Sequence, residues 1–481
     1  MKLPAAPPPR PEGLAVSMYR RLAPRIFVPL YERLSGRRPW TELRRLRELQ
    51  WRAPEELEAR ALAKLRPLLA HAYVHVPYYR ELFARAGLRP EDIGTVSDLA
   101  RLPLTGKAEL RAGFPLRVVA DDAPARQRWL ARTSGSAGLP FEFYGDRAAS
   151  DVWLASYLFF REWAGVVVPT TFYVASPSHL AANPRASPWI KLARRIVLGE
   201  RVVHLSGIDL GAARFAARLR RVVTKSGYAI WGWPAYLARL GAELLEAGIE
   251  LSSYPRGVVT YGESLTETDA RVIERAFQCR VANHYSSWEI LHLAQTCPDN
   301  PRLLHVNSER AIVRVVREDG SPAAVGEPGR VVITDLANRV MPFINYDIGD
   351  RAQAGAPCPC GRGFPTLMGL EGRVGELIRT PGGKTLSPVA LGWLLTHGHR
   401  ALPYIWEYQA VQTAADTLVL RIVPTDRFTR EVAIEIERAL TALLGSDITV
   451  KVEAVDRIAL EPSGKRLIIK SELAPRSTIS G

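Results

Sequence analysis

Cysteine is scarce in this chain, with four in 481 residues. So few thiols exclude a disulfide framework and point to a reducing compartment. Lysine is also rare: nine of the 64 basic residues are lysine, so arginine carries the net charge of +15. Those positives are interleaved with acids, as in Arg44-Arg45-Leu46-Arg47-Glu48, and no basic stripe with interspersed aromatics occurs. That pattern reads as a solvated face, and nucleic acid is not expected as a partner. No apolar run is long enough to span a bilayer, and residues 1–11 hold prolines where a signal peptide needs an apolar core. A cytoplasmic location is therefore expected. With 47% hydrophobic and 23% charged residues the composition is that of an ordinary globular protein. The length exceeds what one core accommodates, which implies a large domain and a smaller one.

Residues 1–40 are rich in proline and arginine. Residues 18–31 form an amphipathic stretch whose two prolines argue against one regular helix. It either touches an anionic membrane surface or packs on the main domain. Residues 41–90 read as helical, with Leu57, Ala61, Leu65, Leu68 and Leu69 near one face and Pro67 expected to break or kink the helix. From about residue 165, strand-like runs (170–175, 228–231, 257–261, 280–284) alternate with helical ones (212–224, 235–247, 267–277), the pattern of a layered α/β domain. Residues 311–350 turn β-rich, with a hairpin-like turn at Arg317-Glu318-Asp319-Gly320. After Gly372 the chain begins again with a short strand, Gly382-Gly383, a helix, a β segment near 417–423 and an amphipathic helix over 429–444. The expected organisation is an N-terminal helical segment (1–90) packed on the main domain, a large layered α/β domain (91–372) and a small α+β domain (373–481).

Five segments carry candidate chemistry. Thr133-Ser134-Gly135-Ser136-Ala137-Gly138-Leu139-Pro140 is a poor helix and a poor strand but a good phosphate cradle. Its glycines let successive N–H groups point one way, and its hydroxyls add donors. His284-Tyr285-Ser286-Ser287-Trp288-Glu289 follows a strand; Tyr285 offers a ring to stack on a base and Glu289 a hard oxygen for Mg²⁺. Met341-Pro342-Phe343-Ile344-Asn345-Tyr346-Asp347-Ile348-Gly349-Asp350 ends in an acid able to accept from both ribose hydroxyls. Gly372-Arg373-Val374-Gly375-Glu376 lies at the domain junction, and Pro462-Ser463-Gly464-Lys465-Arg466 places a cation on a turn, suited to a phosphoryl group as charge develops.

In this order the segments resemble the adenylate-forming superfamily of acyl-CoA synthetases, and within it the phenylacetate-CoA ligase branch with its capsule-biosynthesis-type members. His71-Ala72-Tyr73-Val74-His75-Val76-Pro77-Tyr78-Tyr79-Arg80, Leu102-Pro103-Leu104-Thr105-Gly106-Lys107, Tyr261-Gly262-Glu263-Ser264-Leu265 and Cys358-Pro359-Cys360-Gly361-Arg362 fit the same branch. The resemblance implies a large adenylate-forming domain with a small mobile C-terminal domain, and a two-step reaction. A carboxylate attacks the α-phosphate of ATP to give an acyl-adenylate and pyrophosphate, and a thiol, usually CoA, then displaces AMP. It implies that Thr133, Ser134, Gly135, Ser136 and Gly138 bind the β- and γ-phosphates, Glu289 the metal, Tyr285 the adenine and Asp350 the ribose. It also implies that Lys465 bridges carboxylate and phosphate oxygens, and that Arg373 sits at the hinge about which the small domain rotates. The chain departs from the branch at Trp288, where a small hydroxyl residue is usual, at Asn345, where an arginine is usual, and at Gly375, where the hinge carries paired acids.

The expected substrate is a small carboxylic acid, aryl or medium-sized. Trp231, Trp233, Tyr261 and Glu263 follow predicted strand ends, where α/β sheets bind ligands, and they line either an acid pocket or the core. Cys297, His305, Cys358 and Cys360 match a tetrahedral structural zinc site, as some members of the branch carry; otherwise they are free buried thiols beside a core histidine. Three functions follow: an acid–CoA ligase; an adenylate-former that passes the acyl group to an amine, a hydroxyl or the thiol of a separate carrier protein in surface-polysaccharide or natural-product biosynthesis; and a non-catalytic nucleotide- or acid-binding relative.

Overall fold

In this computed structural model, residues 18–19, 21–132, 141–166, 170–175, 196, 198–204, 211–222, 228–373, 378–382, 384–386, 388, 391, 394–395, 404–459 and 467–473 are described. The amphipathic start passes through a π-helical turn (Ala23–Phe27) into an α-helix (Val28–Ser35), with Pro29 in its first turn, where a missing N–H costs nothing. Met18, Ile26, Leu30 and Leu34 are exposed on this stretch. The Pro54–His75 helix continues through Pro67. Leu65, Leu68, Leu69 and Ala72 are buried on both sides of the proline, and their packing outweighs the one lost hydrogen bond. With the Pro77–Arg85 helix they share a core with Phe141, Tyr285, Ile333 and Tyr346, so the N-terminal helices form one wall of the large domain. No described helix is long and apolar enough to cross a membrane.

The strands, in chain order, are β1 (Arg128–Arg132), β2 (Glu142–Asp146), β3 (Thr170–Ala175), β4 (Glu200–His204), β5 (Tyr228–Gly232), β6 (Val258–Thr260), β7 (Val281–Tyr285), β8 (Ala294–Thr296), β9 (Leu303–Val306), β10 (Ala311–Val316), β11 (Pro328–Asp335), β12 (Tyr346–Ala354) and β13 (Thr366–Arg373). β1 and β2 form a separate hairpin, and the other eleven join in one sheet in the order β10-β11-β12-β13-β9-β8-β7-β6-β5-β3-β4. From β4 to β7 every pairing is parallel; from β7 onward every pairing is antiparallel. Helices Ala212–Val222, Pro234–Glu246 and Glu267–Phe277 supply the parallel crossovers, and their apolar faces bury Phe215, Leu219, Leu237, Leu240, Ile273 and Phe277. β7 is thus the strand where the pairing changes, and its carboxyl end opens toward the place where such sheets bind ligands.

The small domain has its own core. A two-stranded ladder joins β14 (Ile378–Arg379) to β15 (Thr385–Leu386), and a four-stranded sheet runs β18-β17-β16-β19, from β16 (Ile405–Ala414), β17 (Thr417–Pro424), β18 (Thr449–Ala454) and β19 (Ile469–Ser471). The Arg430–Leu444 helix covers it with Ile436, Leu440 and Leu444. β16 is a strand that the hydrophobic pattern did not isolate, since its inward residues Tyr408 and Ala410 alternate with Glu407 and Gln409.

In the antiparallel half, Arg310 and Asp335 form a fully buried ion pair through both terminal guanidinium nitrogens. Removing one partner strands the other charge in a low dielectric. Asp335→Ala is expected to destabilise the large domain by about 3–5 kcal/mol, read as a lower urea midpoint by tryptophan fluorescence; an unchanged midpoint would contradict the pairing.

Candidate active site

The candidate nucleotide site grows out of the end of β7. Tyr285 is its last residue, and its hydroxyl donates to Asp350 Oδ2 at 2.8 Å across from β12. The structure thus joins the two residues expected to meet adenine and ribose. After Tyr285 the chain turns tightly: Ser287 Oγ accepts from the Ile290 N–H at 3.0 Å, and Ser286 Oγ from the His292 N–H at 3.1 Å. This turn leaves Trp288 57% exposed and puts Glu289 at 5% exposure, so the tryptophan projects to solvent and does not crowd the carboxylate.

Glu289 Oε1 receives both of its contacts among the described residues, the Tyr346 hydroxyl at 3.2 Å and the Lys107 ammonium at 2.9 Å. Burial first, and the Glu289 charge second, hold the Tyr346 phenol well above its ordinary value. It therefore stays protonated and donates. Lys107 opens the Lys107–Gly113 helix and lies 5.3 Å from the Phe141 ring centroid. Its position follows from a clamp: the Thr105 N–H donates to the Asn345 carbonyl at 2.9 Å, and the Asp347 N–H to the Thr105 carbonyl at 3.0 Å. Thr105 thereby forms a parallel bridge with Tyr346.

Asn345 completes that clamp. It has φ +52°, a left-handed conformation that asparagine tolerates better than most residues. Its side-chain amide donates to the Leu102 carbonyl at 2.7 Å and the Pro103 carbonyl at 3.2 Å, while its Oδ1 accepts from Arg314. A guanidinium from β10 therefore reaches the position where the resembled branch usually carries its own arginine. Arg373 ends β13 directly opposite Asp350 in the antiparallel register. The Thr133, Ser134, Gly135, Ser136 and Gly138 loop and Lys465 lie outside the described residues.

Beside β7 the predicted pocket residues meet others that the sequence did not reveal. The Trp231 ring, at the end of β5, packs against Tyr157 (5.7 Å between centroids), Tyr261 (5.6 Å) and His284 (5.4 Å). His284 Nε2 lies 2.9 Å from His292 Nδ1, and His284 Nδ1 lies 3.1 Å from Gln295 Oε1. Tyr157 closes the ring by packing on His292 at 5.2 Å. Arg161, below Tyr157, is buried and paired with Glu200. Trp233 is buried, and Glu263 accepts from the Ala235 N–H at 3.3 Å, at the amino end of the Pro234–Glu246 helix. Gly262, at φ +79°, makes the turn that lets Glu263 reach back there. Trp231 and Tyr261 therefore belong to the aromatic cluster, while Glu263 serves a helix start. His284 and His292 gave no signal in the sequence because their pairing spans a strand and a turn.

The cysteine cluster gathers residues from the turn after β8, from β9 and from the connection between β12 and β13. Cys297, His305, Cys358 and Cys360 place one ligand atom each within 4.8 Å of one another. Cys297 Sγ lies 3.8 Å from Cys358 Sγ, and Cys360 Sγ lies 3.4 Å from His305 Nε2. A tetrahedral zinc with bonds of about 2.3 Å to sulfur and about 2.0–2.1 Å to nitrogen would hold such atoms about 3.8 and 3.6 Å apart. His305 Nδ1 meets the Phe364 carbonyl at 3.0 Å, which leaves Nε2 as the lone-pair nitrogen. Burial raises the Cys297 thiol and pushes Cys358 up to about 12. Burial also opposes ionisation of Cys360, but hydrogen bonds from the Arg362 backbone and side chain and from the Cys358 and Cys297 thiols together outweigh it and hold that thiol below its ordinary value. Two buried thiols and a half-buried one that favours the thiolate are the donor set a cation completes.

The fold is that of the adenylate-forming CoA ligases. The crystal structure of 2-hydroxyisobutyryl-CoA ligase in the postadenylation state with 2-HIB-AMP superimposes with a TM-score of 0.71 at 21% identity, over 88% of this chain and 91% of that one. In sequence the chain is similar to the phenylacetate-coenzyme A ligase of Thermus thermophilus, 23% identical over 397 residues, or 81% of this chain and 86% of that protein. The Escherichia coli K12 phenylacetate-coenzyme A ligase is 28% identical over 303 residues, 62% of this chain and 67% of that protein. Residues 390–472 match the CapK C-terminal domain family. These findings support the branch of the superfamily to which the motifs pointed.

Burial drives the His284 imidazole down to about 4, and burial with the neighbouring His284 drives His292 well below its ordinary value. Both rings are neutral in the folded protein. The unfolded chain takes up protons first as pH falls below about 6.5, so stability is full above that pH and is lost progressively down to about 4. The slope approaches ~1.4 kcal/mol per pH unit for each such ring. Urea midpoints measured between pH 7 and 4 are expected to fall less steeply for His284→Gln than for the parent chain, and equal slopes would refute the assignment.

Proposed function

We propose that this chain is an ATP-dependent carboxylic acid–CoA ligase that works through an acyl-adenylate. The observation that carries the reading is the convergence at the end of β7: Tyr285 bonded to Asp350, with Glu289 four residues on, buried and held by Tyr346 and Lys107. One buried carboxylate beside a phosphate site suits Mg²⁺, which needs only one or two protein oxygens and keeps its waters. Glu289 would hold that ion, which neutralises phosphate charge when bound. The Tyr285–Asp350 pair would orient the nucleoside, Thr133 to Gly138 would donate to the β- and γ-phosphates, and Lys465 would neutralise charge on the oxygens around the α-phosphorus. Arg373, opposite Asp350 at the last residue of the main sheet, is where a hinge would let the small domain exchange Lys465 for a thiol.

The relatives' names point to an aryl or other medium-sized acid. The Trp231, Tyr261 and Tyr157 cluster with two neutral imidazoles would give such an acid an apolar wall without a competing charge. A second reading keeps the adenylate and changes the acceptor to an amine, a hydroxyl or a carrier thiol. The CapK match lies in the small domain, and the mass of the product decides between the two. The exposed apolar side chains of residues 18–34, beside Arg21, Arg25 and Arg33, suit a peripheral contact with anionic lipid.

With ATP, Mg²⁺, CoA and a panel of acids, the purified protein is expected to release pyrophosphate and form an acyl-CoA detectable by mass spectrometry. Lys465→Ala is expected to lower acid-dependent pyrophosphate release at least ~10²-fold while its melting temperature stays that of the parent. Full adenylation by that variant would overturn the assignment.

The cysteine cluster is proposed to hold a structural zinc ion. Metal analysis is expected to find about one zinc equivalent in the purified protein, lost with lowered thermal stability in Cys358→Ser. A content below a tenth of an equivalent, about the level of trace contamination, would end this proposal.

A further inference from the structure

The carboxyl end of the Pro54–His75 helix carries a second convergence of ligand atoms, which neither the nucleotide site nor the cysteine cluster uses. His71 and His75 stand one helical turn apart and so share a face, with ring centroids 4.9 Å apart. His71 is buried, and its Nε2 lies 3.0 Å from the Arg339 carbonyl oxygen. A carbonyl only accepts, so Nε2 carries the proton and Nδ1 keeps a lone pair. His75 Nδ1 lies 2.8 Å from Asp121 Oδ1, again an acceptor, so the lone pair of His75 is on Nε2. Both lone-pair nitrogens approach one atom, Asp122 Oδ2, at 3.8 Å from His71 Nδ1 and 3.7 Å from His75 Nε2. All three ligand atoms lie within 4.8 Å of one another. With neutral rings, three acceptors face each other and no proton lies between them.

We propose that His71, His75 and Asp122 bind a divalent transition-metal ion of the zinc, cobalt or nickel kind. Two imidazole nitrogens and one carboxylate oxygen are borderline donors that suit these ions, whereas Mg²⁺ and Ca²⁺ call for oxygen alone. Bonds of about 2.0–2.1 Å in a tetrahedron would place the ligands about 3.4 Å apart, a few tenths of an ångström inside the two distances to Asp122 Oδ2. The outer partners are already in place: the Arg339 carbonyl and the Asp121 carboxylate fix each ring's tautomer and orientation. Asp122 and His75 are partly exposed, which gives the ion an entry path and leaves its remaining positions to water.

The site joins three stretches distant in sequence. The helix brings the histidines, residues 121–122 bring the carboxylates, and residues 339–340 bring the supporting carbonyl. The Asp121 N–H donates to the His75 carbonyl at 3.0 Å, and the Ala120 N–H to the Val340 carbonyl at 2.9 Å. Residues 339–340 lead directly into Asn345 and Tyr346, so an ion here would pin the approach to the β12 end of the nucleotide site. Because it binds only the folded arrangement, it would stabilise that arrangement by mass action.

The test uses the full chain stripped with chelator and dialysed against Zn²⁺, with bound metal counted by mass spectrometry. The parent is expected to hold one equivalent more than His75→Gln or Asp122→Asn, each of which keeps the cysteine cluster intact. Saturating that equivalent should take at least tenfold more Zn²⁺ in either variant, and added Zn²⁺ should raise the melting temperature of the parent more than that of the variants. Both substitutions fall on partly exposed side chains, and melting without metal verifies that each variant folds as the parent does. Equal zinc uptake and equal melting shifts in the parent and both variants would overturn the site and leave the histidines as hydrogen-bonding partners of the Arg339 carbonyl and Asp121.

Discussion

The burial of one carboxylate organises this molecule. Glu289 cannot leave water without compensation, and its compensation comes from two other parts of the chain: the Tyr346 hydroxyl at the start of β12 and the Lys107 ammonium at the start of a helix. Lys107 reaches it only because Thr105 is bridged to Tyr346 and Asn345 is tied to Leu102 and Pro103. The same strand that brings Tyr346 also brings Asp350 to Tyr285. Satisfying Glu289 therefore sets the register of β7, β12 and the 102–107 segment at once, and that register shapes the candidate nucleotide site.

Around this centre the antiparallel half is held by contacts of a different kind. The Arg310–Asp335 pair ties the start of β10 to the end of β11, and Arg314 from β10 reaches Asn345. The cysteine cluster links the turn after β8, strand β9 and the connection between β12 and β13, and Arg362 from that connection lies over Trp51 of the N-terminal segment and Trp163 at the end of the Ser150–Trp163 helix. The parallel half relies on apolar packing of three crossover helices. Where pairing changes, at β7, polar and apolar regimes meet, and the aromatic cluster of Trp231, Tyr157 and Tyr261 stands beside the ionised groups.

Much of the fold was legible because it is written in local patterns. Short apolar runs separated by amphipathic helical stretches marked β3, β5, β6 and β7 and the helices Ala212–Val222, Pro234–Glu246 and Glu267–Phe277, within a residue or two of where they lie, but β4 (Glu200–His204) was missed. Pro67 misled, because a single lost hydrogen bond is small beside the burial of Leu65, Leu68 and Leu69. β16 was missed because Glu407 and Gln409 interrupt its hydrophobic signal. In the site, Tyr285, Glu289 and Asp350 stood out as chemistry-bearing residues in recognisable segments. Lys107, Tyr346 and His284 lay in those segments without an assigned part, and His292 and Arg314 outside them, since each acquires its part only from a neighbour elsewhere in the chain.

Residue order alone settled the layered α/β class and the presence of motifs fit for adenylate formation, because secondary-structure periodicity and short glycine, acid and aromatic patterns are local properties. It also placed three thiols and an imidazole as a candidate metal set. Which groups touch was decided by folding in three dimensions. The sharing of Glu289 between a lysine and a tyrosine, the pairing of two neutral histidines beside Trp231, and the aim of His71 and His75 at one carboxylate oxygen all arise where strands and helices distant in sequence pack together. Hydrogen bonds and ion pairs form over a few ångströms of space, and no local pattern encodes such distances between remote residues.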